Sequence, residues 1–134
     1  MEFPEINYLA VLLSALAFFI IGSIWYSPLL FAKSWMKELG FTKNPQSTTT
    51  MFKIFGLAFL LMLIMAFNLA AFIGNEAGFQ FGLTAGALTG IGWVALAIGI
   101  LYLFERKSFR FWLINAGYMA VGFSVMGAII GAMQ

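Results

Sequence analysis

Long apolar segments alternate with short polar ones along the whole chain. Four stretches contain no charged residue: Ile6 to Ala32, Ile54 to Asn75, Ala77 to Phe104 and Phe111 to Gln134. A helix that crosses a membrane needs roughly 20 apolar residues, at about 1.5 Å of rise per residue, and each stretch reaches that length. The pattern predicts an all-α integral membrane protein. Its single domain, residues 1–134, has spans at about 6–26, 51–73, 79–104 and 111–133.

A shorter helix is predicted after the first span, at about residues 28–39. Ser27 suits the N-cap, Pro28 suits the first helical position, and Gly40 suits the position after the last turn. The helix is amphipathic, with aromatic residues opposite lysines: Phe31 and Trp35 against Lys33 and Lys37. This pattern is typical of a helix that lies in the membrane interface. Packing on the ends of the chain's own spans is the alternative, and the two interpretations are compatible.

All seven basic residues fall on one side of the predicted membrane. They are Lys33, Lys37, Lys43, Lys53, Arg106, Lys107 and Arg110. The other side carries only Glu2, Glu5 and Glu76. Because short basic loops stay in the cytoplasm, we expect both termini and the turn at 74–78 to lie outside it.

The composition excludes several kinds of chemistry. The chain is 63% hydrophobic and 9% charged, and it has no cysteine and no histidine. These absences remove thiol chemistry and the commonest metal ligand. The spans also lack the buried charge that marks most proton-coupled sites. We therefore expect no cofactor, no metal, no nucleic-acid partner and no enzymatic activity, with membrane lipid as the surrounding partner.

The polar residues inside the spans are few and neutral. Asn68 is the most conspicuous, since it lies well inside an apolar run. It is a candidate solute contact, but we favour an interhelical hydrogen bond, which is worth roughly 0.6–2 kcal/mol. Asn115 lies close enough to the cytoplasmic end of the fourth span to be interfacial. The candidate polar or pathway contacts are Asn68, Trp25, Tyr26, Asn115 and Tyr118.

Small residues recur every four positions in the third and fourth spans. Such spacing lets helix backbones approach closely, and this contact drives helix association in lipid. An interface between subunits or a narrow pathway is one interpretation, and packing of the two spans within one subunit is the other. We favour the second for the third span and leave the fourth open. The predicted helix-packing residues are Gly82, Gly86, Gly90, Ala120, Ser124, Gly127, Ala128 and Gly131.

The segment from Trp25 to Phe41 resembles the signature of a bacterial family of small membrane proteins, domain of unknown function 1761. The specific residues are Trp25, Tyr26, Pro28, Leu29, Phe31, Trp35 and Gly40. Many members have glycine where this chain has Ser27, a difference that fits the capping role of serine. The resemblance covers nearly the whole chain and implies a bacterial inner-membrane location. It implies no activity and no catalytic residue.

Together these patterns predict a small bacterial inner-membrane protein that acts through helix packing as a homo-oligomer. The alternative is a small channel or transporter for a neutral or weakly charged solute, with the glycine-rich faces lining its path. The surroundings of Asn68 discriminate between the two. A water-accessible cavity would favour transport, whereas burial in a helix pair would favour the packing role.

Overall fold

The computed structural model describes residues 4–39 and 48–134, and all regular secondary structure in these ranges is helical. The helices are α1 (Tyr8–Trp25), α2 (Ala32–Leu39), α3 (Thr48–Ile73), α4 (Gly78–Thr89), a π-helical segment (Gly90–Val94), α5 (Ala95–Phe104) and α6 (Phe109–Met133). The third span is continuous, because α4, the π-helical segment and α5 follow one another without a break. The predicted all-α fold is confirmed.

Four helical stretches are long and apolar enough to cross a membrane. They are Tyr8–Trp25, Thr49–Ile73, Gly78–Phe104 and Phe109–Met133, with mean hydropathies of 2.2, 2.4, 2.1 and 1.7. The turns between the last three spans are short, so consecutive spans run antiparallel. The chain is therefore a multi-pass membrane protein.

The last span, α6, lies at the centre of the bundle. It contacts α1, α3, the whole third span and α2. Half of its most apolar window is buried, against 17% for α3. The side chains of Phe18, Met126 and Ile130 are fully enclosed between α1 and α6 and their neighbours. The span with the lowest hydropathy is thus the one around which the others pack.

The glycines of α4 lie against the backbone of α6 in the same chain. A methyl group on Gly86 would come within 2.9 Å of the carbonyl carbon of Phe123. One on Gly127 would come within 2.9 Å of the Cα of Gly86. Further along, a methyl group on Gly90 would come within 3.1 Å of the Cα of Ala120. The two helices can approach so closely only because these positions carry no side chain.

The other small residues predicted for packing lie in or beside the same contact. Gly82 packs against Gly131, whose Cα would be 2.8 Å from a methyl group on Gly82. Ser124 is partly buried, and its hydroxyl donates to the Ala120 carbonyl of its own helix at 2.6 Å. Ala128 is also partly buried. The two spans are therefore packed together within one subunit, as favoured for the third span.

The helix after the first span is shorter than predicted, because α2 begins at Ala32 and not at Pro28. The preceding residues form turns in which the Phe31 N–H donates to the Trp25 carbonyl at 3.1 Å. Ser27 stabilises the turn, since its hydroxyl donates to the Ile24 carbonyl at 2.6 Å and accepts from the Leu29 N–H at 3.2 Å. Serine therefore organises the end of α1 and does not cap α2.

Contacts within the chain cover part of the apolar face of α2, on which Met36 stays exposed. Ala32 is buried, and the Trp35 ring lies 5.1 Å from the Tyr26 ring. The Ser108 hydroxyl, at the start of α6, donates to the Glu38 carboxylate at 2.6 Å. Lys33, Lys37 and Pro28 are exposed. The face that carries Phe31 and Trp35 is therefore packed on the chain's own spans. The predicted cap Gly40, together with Lys43 and Glu2, lies outside the described residues.

A polar network joins three chain segments at the opposite end of the bundle. The Gln134 side-chain amide donates to the carbonyls of Ala70 and Gly74, both at 2.9 Å. Its oxygen accepts from the Asn7 N–H at 3.0 Å, and the Asn7 side chain donates to the Met133 carbonyl at 3.0 Å. These bonds satisfy carbonyls at two helix ends and fix α1, α3 and α6 relative to one another.

Candidate functional site

Four of the five candidate contact residues meet at the end of the bundle that carries α2. Their centre is Asn115, which is only 8% exposed. The Tyr26 hydroxyl donates to the Asn115 side-chain oxygen at 2.5 Å, and the Asn115 amide nitrogen donates to the Tyr102 hydroxyl at 3.1 Å. A buried amide thus connects phenols from α5 and from the end of α1. Asn115 is therefore buried within the bundle and paired with two phenols, and its expected position at the membrane interface stays a prediction.

Trp25 attaches the end of α1 to α6. Its indole N–H donates to the Ile114 carbonyl at 2.8 Å. Its ring lies on Gly117, where a methyl group would come within 2.8 Å of the ring edge. The other side of the ring is covered by Phe31, at 4.9 Å between centroids. The missing side chain at Gly117 therefore determines where this tryptophan can lie.

Tyr118 occupies the same region on the other side of α1. Its side chain is 7% exposed, and its hydroxyl donates to the Phe18 carbonyl at 3.1 Å. The ring packs over Gly22 and lies edge-on to the Tyr26 ring at 5.5 Å. Its hydrogen bond therefore crosses from α6 to a backbone carbonyl in the middle of α1.

Sequence reasoning missed Tyr102, and it treated Trp35 only as part of the α2 face. Tyr102 lies just before the turn that separates α5 from α6, and Asn115 lies within two turns after it. In a helical hairpin, such positions come to the same depth. Their similar distance from the turn could have been read from the sequence, and it pairs Tyr102 with Asn115. Nothing in the local sequence showed that Trp35 would reach the Tyr26 ring.

Trp112 is a further anchor that the sequence did not reveal. Its indole N–H donates to the Ala95 carbonyl at 2.8 Å, immediately after the π-helical segment. A methyl group on Gly99 would come within 3.0 Å of the indole nitrogen. Gly99 therefore provides the space that lets this ring reach the backbone of α5.

A cavity of about 670 Å³ adjoins the aromatic cluster between α1, α2 and α3. Its walls are largely apolar, and its lining side chains include the indole of Trp35 and the hydroxyls of Ser23, Tyr26 and Tyr118. Each of these hydroxyls already donates a hydrogen bond within the protein: Ser23 to the Phe19 carbonyl, Tyr26 to Asn115 and Tyr118 to the Phe18 carbonyl. The cavity thus offers shape and apolar surface, with hydroxyl oxygens that can still accept hydrogen bonds.

Asn68 lies apart from this cluster. It is exposed on α3, beside a groove of about 360 Å³ that α3 forms with Leu88, Thr89 and Trp93 of the third span. The Thr89 hydroxyl donates to Ala85 of its own helix at 2.8 Å. Within the described ranges, the Asn68 amide has no hydrogen bond. The favoured interhelical bond is thus not formed within the described part of the chain, because α3 packs mainly on α1 and leaves a groove towards α4.

The chemistry of the cluster is that of neutral hydrogen-bonding groups. Amide and phenol side chains can fix one another and can orient a bound molecule. Across residues 4–39 and 48–134, no three His, Cys, Asp or Glu side chains come together as a metal site would require. The spans position aromatic rings and one buried amide, and they position no charged side chain in this cluster.

Comparison with known proteins identifies a family for the chain. The family described as Protein of unknown function (DUF1761) matches residues 9–131, which is nearly the whole chain. The chain belongs to this family, and the resemblance drawn from the Trp25–Phe41 segment is confirmed. No curated protein and no solved structure matches it. The family description assigns no activity, so a function has to be argued from the geometry.

Proposed function

We propose that this DUF1761 member is a non-enzymatic protein of the bacterial inner membrane that acts through helix packing and self-associates. The observation that carries the proposal is the position of Asn68, which lies in an open groove and not in a helix pair or an enclosed cavity of its own chain, so neither of the expected surroundings is found. This amide is exposed on an apolar span and has no hydrogen-bond partner among the residues that the structure describes. A second copy of the chain would supply the missing partner.

The energetic reason is the cost of an unpaired amide in hydrocarbon. Asn68 lies five residues before the end of α3 at Ile73, which is about 7.5 Å along the helix axis. It is therefore more than one turn inside the span. Lipid tails offer no hydrogen bonds, and an unsatisfied amide there costs several kcal/mol. Pairing with another chain removes most of this cost.

The small residues also support a packing role, because they bring two helices of one subunit into close contact. Gly82, Gly86 and Gly90 are in contact with the backbone of α6 in the same chain, so they hold one subunit together. They are not available for contact with a neighbouring subunit or for lining a path. Self-association must then use another surface. Both α3 and the third span offer one, since only 17% and 11% of their apolar windows are buried, and of the two only α3 carries the unpaired Asn68.

The absence of enzymatic activity is proposed from the kind of groups that meet in the cluster. The three side chains are neutral: Tyr26 donates to Asn115, and Asn115 donates to Tyr102. The charged residues of the span helices, Lys53 and Arg110, are exposed, so no charged group is buried in the described spans to lower or raise the pKa of a catalytic acid or base. The cluster is suited to fixing α1, α5 and α6 in one arrangement.

The proposed orientation places α2 and the turn before α6 in the cytoplasm. It is supported by the basic residues at that end, including Lys33, Lys53 and Arg110. A reporter enzyme that works only outside the cytoplasm should be active when fused after Gln134. Activity of a cytoplasmic reporter at the same position would overturn the orientation.

Self-association is tested by the mass of the protein in lipid nanodiscs. We expect particles that contain more than one 14.8 kDa chain. Asn68→Leu should shift them towards single chains. Thr84→Leu is the matched control, since Thr84 is an exposed polar residue on another span. Single chains for the wild-type protein at every protein-to-lipid ratio would contradict the proposal.

A second candidate function is passage of a neutral solute, which the 670 Å³ cavity favours. Ala58 lines this cavity, whereas Gly56 has no neighbouring atom within 4 Å of an added methyl group. If a solute enters there, Ala58→Phe should reduce its flux into proteoliposomes and Gly56→Phe should not. Equal flux in protein-free and protein-containing vesicles would eliminate this candidate.

A further inference from the structure

We infer that α3 pairs in parallel with α3 of a second copy, along a stripe of five residues that ends at Asn68. This inference deepens the proposed self-association and rests on it. The surface and the parallel orientation of the second copy are the new elements, and neither follows from the need of Asn68 for a hydrogen bond alone.

The stripe has the spacing of a coiled-coil seam. Its members are Ile54, Leu57, Leu61, Ile64 and Asn68, separated alternately by three and four residues. These are the first and fourth positions of successive heptads, the positions that meet a partner helix. Leu57, Leu61 and Ile64 lie opposite the buried side of α3 and are 64%, 60% and 49% exposed. The two end members, Ile54 and Asn68, are also exposed, and they border the cavity beside α1 and the groove towards the third span.

The opposite side of α3 is already occupied. Ala66, Leu69, Ala70 and Ile73 are buried, with exposures of 5% or less. The helix therefore has one face committed to its own subunit and an opposite face that is largely exposed. The stripe runs along the second face from Ile54 to Asn68, 14 steps of about 1.5 Å each, which is about 21 Å.

Asn68 selects a second copy over other occupants. Its amide has a donor and an acceptor, so two copies around a two-fold axis can satisfy each other with complementary partial charges. A single asparagine at such a heptad position is a known means of fixing register and oligomer state. A lipid chain could cover the leucines and isoleucines but would leave the amide unpaired.

The charge distribution also permits the pairing. Lys53 is exposed and precedes Ile54, so it lies beside the stripe and not on it. Two chains inserted in the same direction therefore bring no like charges together along the seam. Both copies would place residue 68 at the same depth, which parallel pairing requires.

Cross-linking of single-cysteine variants tests the surface directly. The chain has no native cysteine, so each variant reports on one position. Leu61→Cys is on the stripe and Ile91→Cys is its control, because both residues lie near the middle of a span and are 60% and 56% exposed. In native membranes, we expect a cross-linked dimer at position 61 at least several times more abundant than at position 91.

The possible results distinguish pairing through α3 from self-association in general. Nanodisc particles with two chains but without cross-linking at position 61 would overturn the α3 seam and leave self-association in place. Equal cross-linking at both positions would also overturn the seam. Single-chain particles would overturn both.

Side-chain replacement tests the role of the amide. Asn68→Leu should weaken dimerisation by roughly three- to thirtyfold, the range expected for one interhelical hydrogen bond in lipid. Asn68→Gln keeps the amide and should recover part of that loss. A Leu variant that dimerises as well as the wild-type protein would show that the seam does not depend on the amide, contrary to the inference.

Discussion

The contact of α4 with α6 and the outer face of α3 show two ways in which an apolar helix can be used. α3 has the higher hydropathy, 2.4 against 1.7 for α6, yet only 17% of its apolar window is buried against 50% for α6. In lipid, the hydrophobic effect does not distinguish the inside of a bundle from its outside. The size of the side chains decides instead, and the glycines place α6 at the centre.

The largest expected effect breaks the close contact of α4 with α6. Gly86→Leu would force its side chain against the backbone of Phe123, which cannot move without separating the helices. We expect a loss of at least about 4 kcal/mol in the free energy of unfolding, enough to prevent folding. Gly56→Leu makes the same change on α3 where nothing lies within 4 Å, and it should fold normally. Similar yields of monodisperse protein from both variants would contradict this account.

A smaller loss should follow when a side chain in the same core is removed. Phe18 is 2% exposed and packs between Gly122 and the Tyr118 ring, so Phe18→Ala leaves a cavity. We expect a loss of about 3 kcal/mol in an equilibrium unfolding titration in mixed micelles. Phe72→Ala on α3 is the control, because Phe72 is 70% exposed. Comparable losses for the two variants would show that α3 is buried in the folded protein.

The aromatic cluster should contribute less than the packing core. Asn115→Leu removes the partner of the Tyr26 and Tyr102 hydroxyls, and we expect a loss of about 1–2 kcal/mol in the free energy of unfolding. A double-mutant cycle with Tyr26→Phe measures the coupling free energy between the two side chains. If the effects of the two substitutions are additive, the hydrogen bond between the two side chains contributes nothing measurable.

The smallest effect on the subunit itself is expected at Asn68. Its amide has no partner among the described residues, so Asn68→Leu should leave the unfolding free energy of the monomer within about 0.5 kcal/mol of the wild-type value. The measurement is made at a detergent-to-protein ratio that keeps the chains apart. A larger loss of unfolding free energy would show that Asn68 makes a stabilising contact within its own subunit. The outer face of α3 would then not differ from α6 in this respect.

The sequence was sufficient for the four spans because length and hydropathy alone define a span. The four-residue spacing of Gly82, Gly86 and Gly90 also pointed to a close helix contact, although it could not say whether the partner lay in the same chain. That choice depends on the whole arrangement of α1, α4 and α6, in which the glycines of α4 face those of α6.

The site was less predictable than the fold. Asn68 stood out because an amide in an apolar run is unusual, but its surroundings depend on how far α3 diverges from α4. Asn115 looked peripheral because of its position near a span end, but it is buried and hydrogen-bonded to the hydroxyls of Tyr26 and Tyr102. α2 begins at Ala32 and not at the predicted Pro28, because the Ser27 hydroxyl forms hydrogen bonds within its own turn and these compete with helix capping.

The central claim is that α3 faces a second copy while the glycines of α4 and α6 hold a single subunit together. It is tested most directly by the intermolecular distance between spin labels in lipid nanodiscs, measured by double electron–electron resonance. With a label at Leu61→Cys, the account predicts a short, narrow distance distribution, and with a label at Ile91→Cys it predicts a longer one. A short distance at position 91 together with a long one or none at position 61 would contradict it.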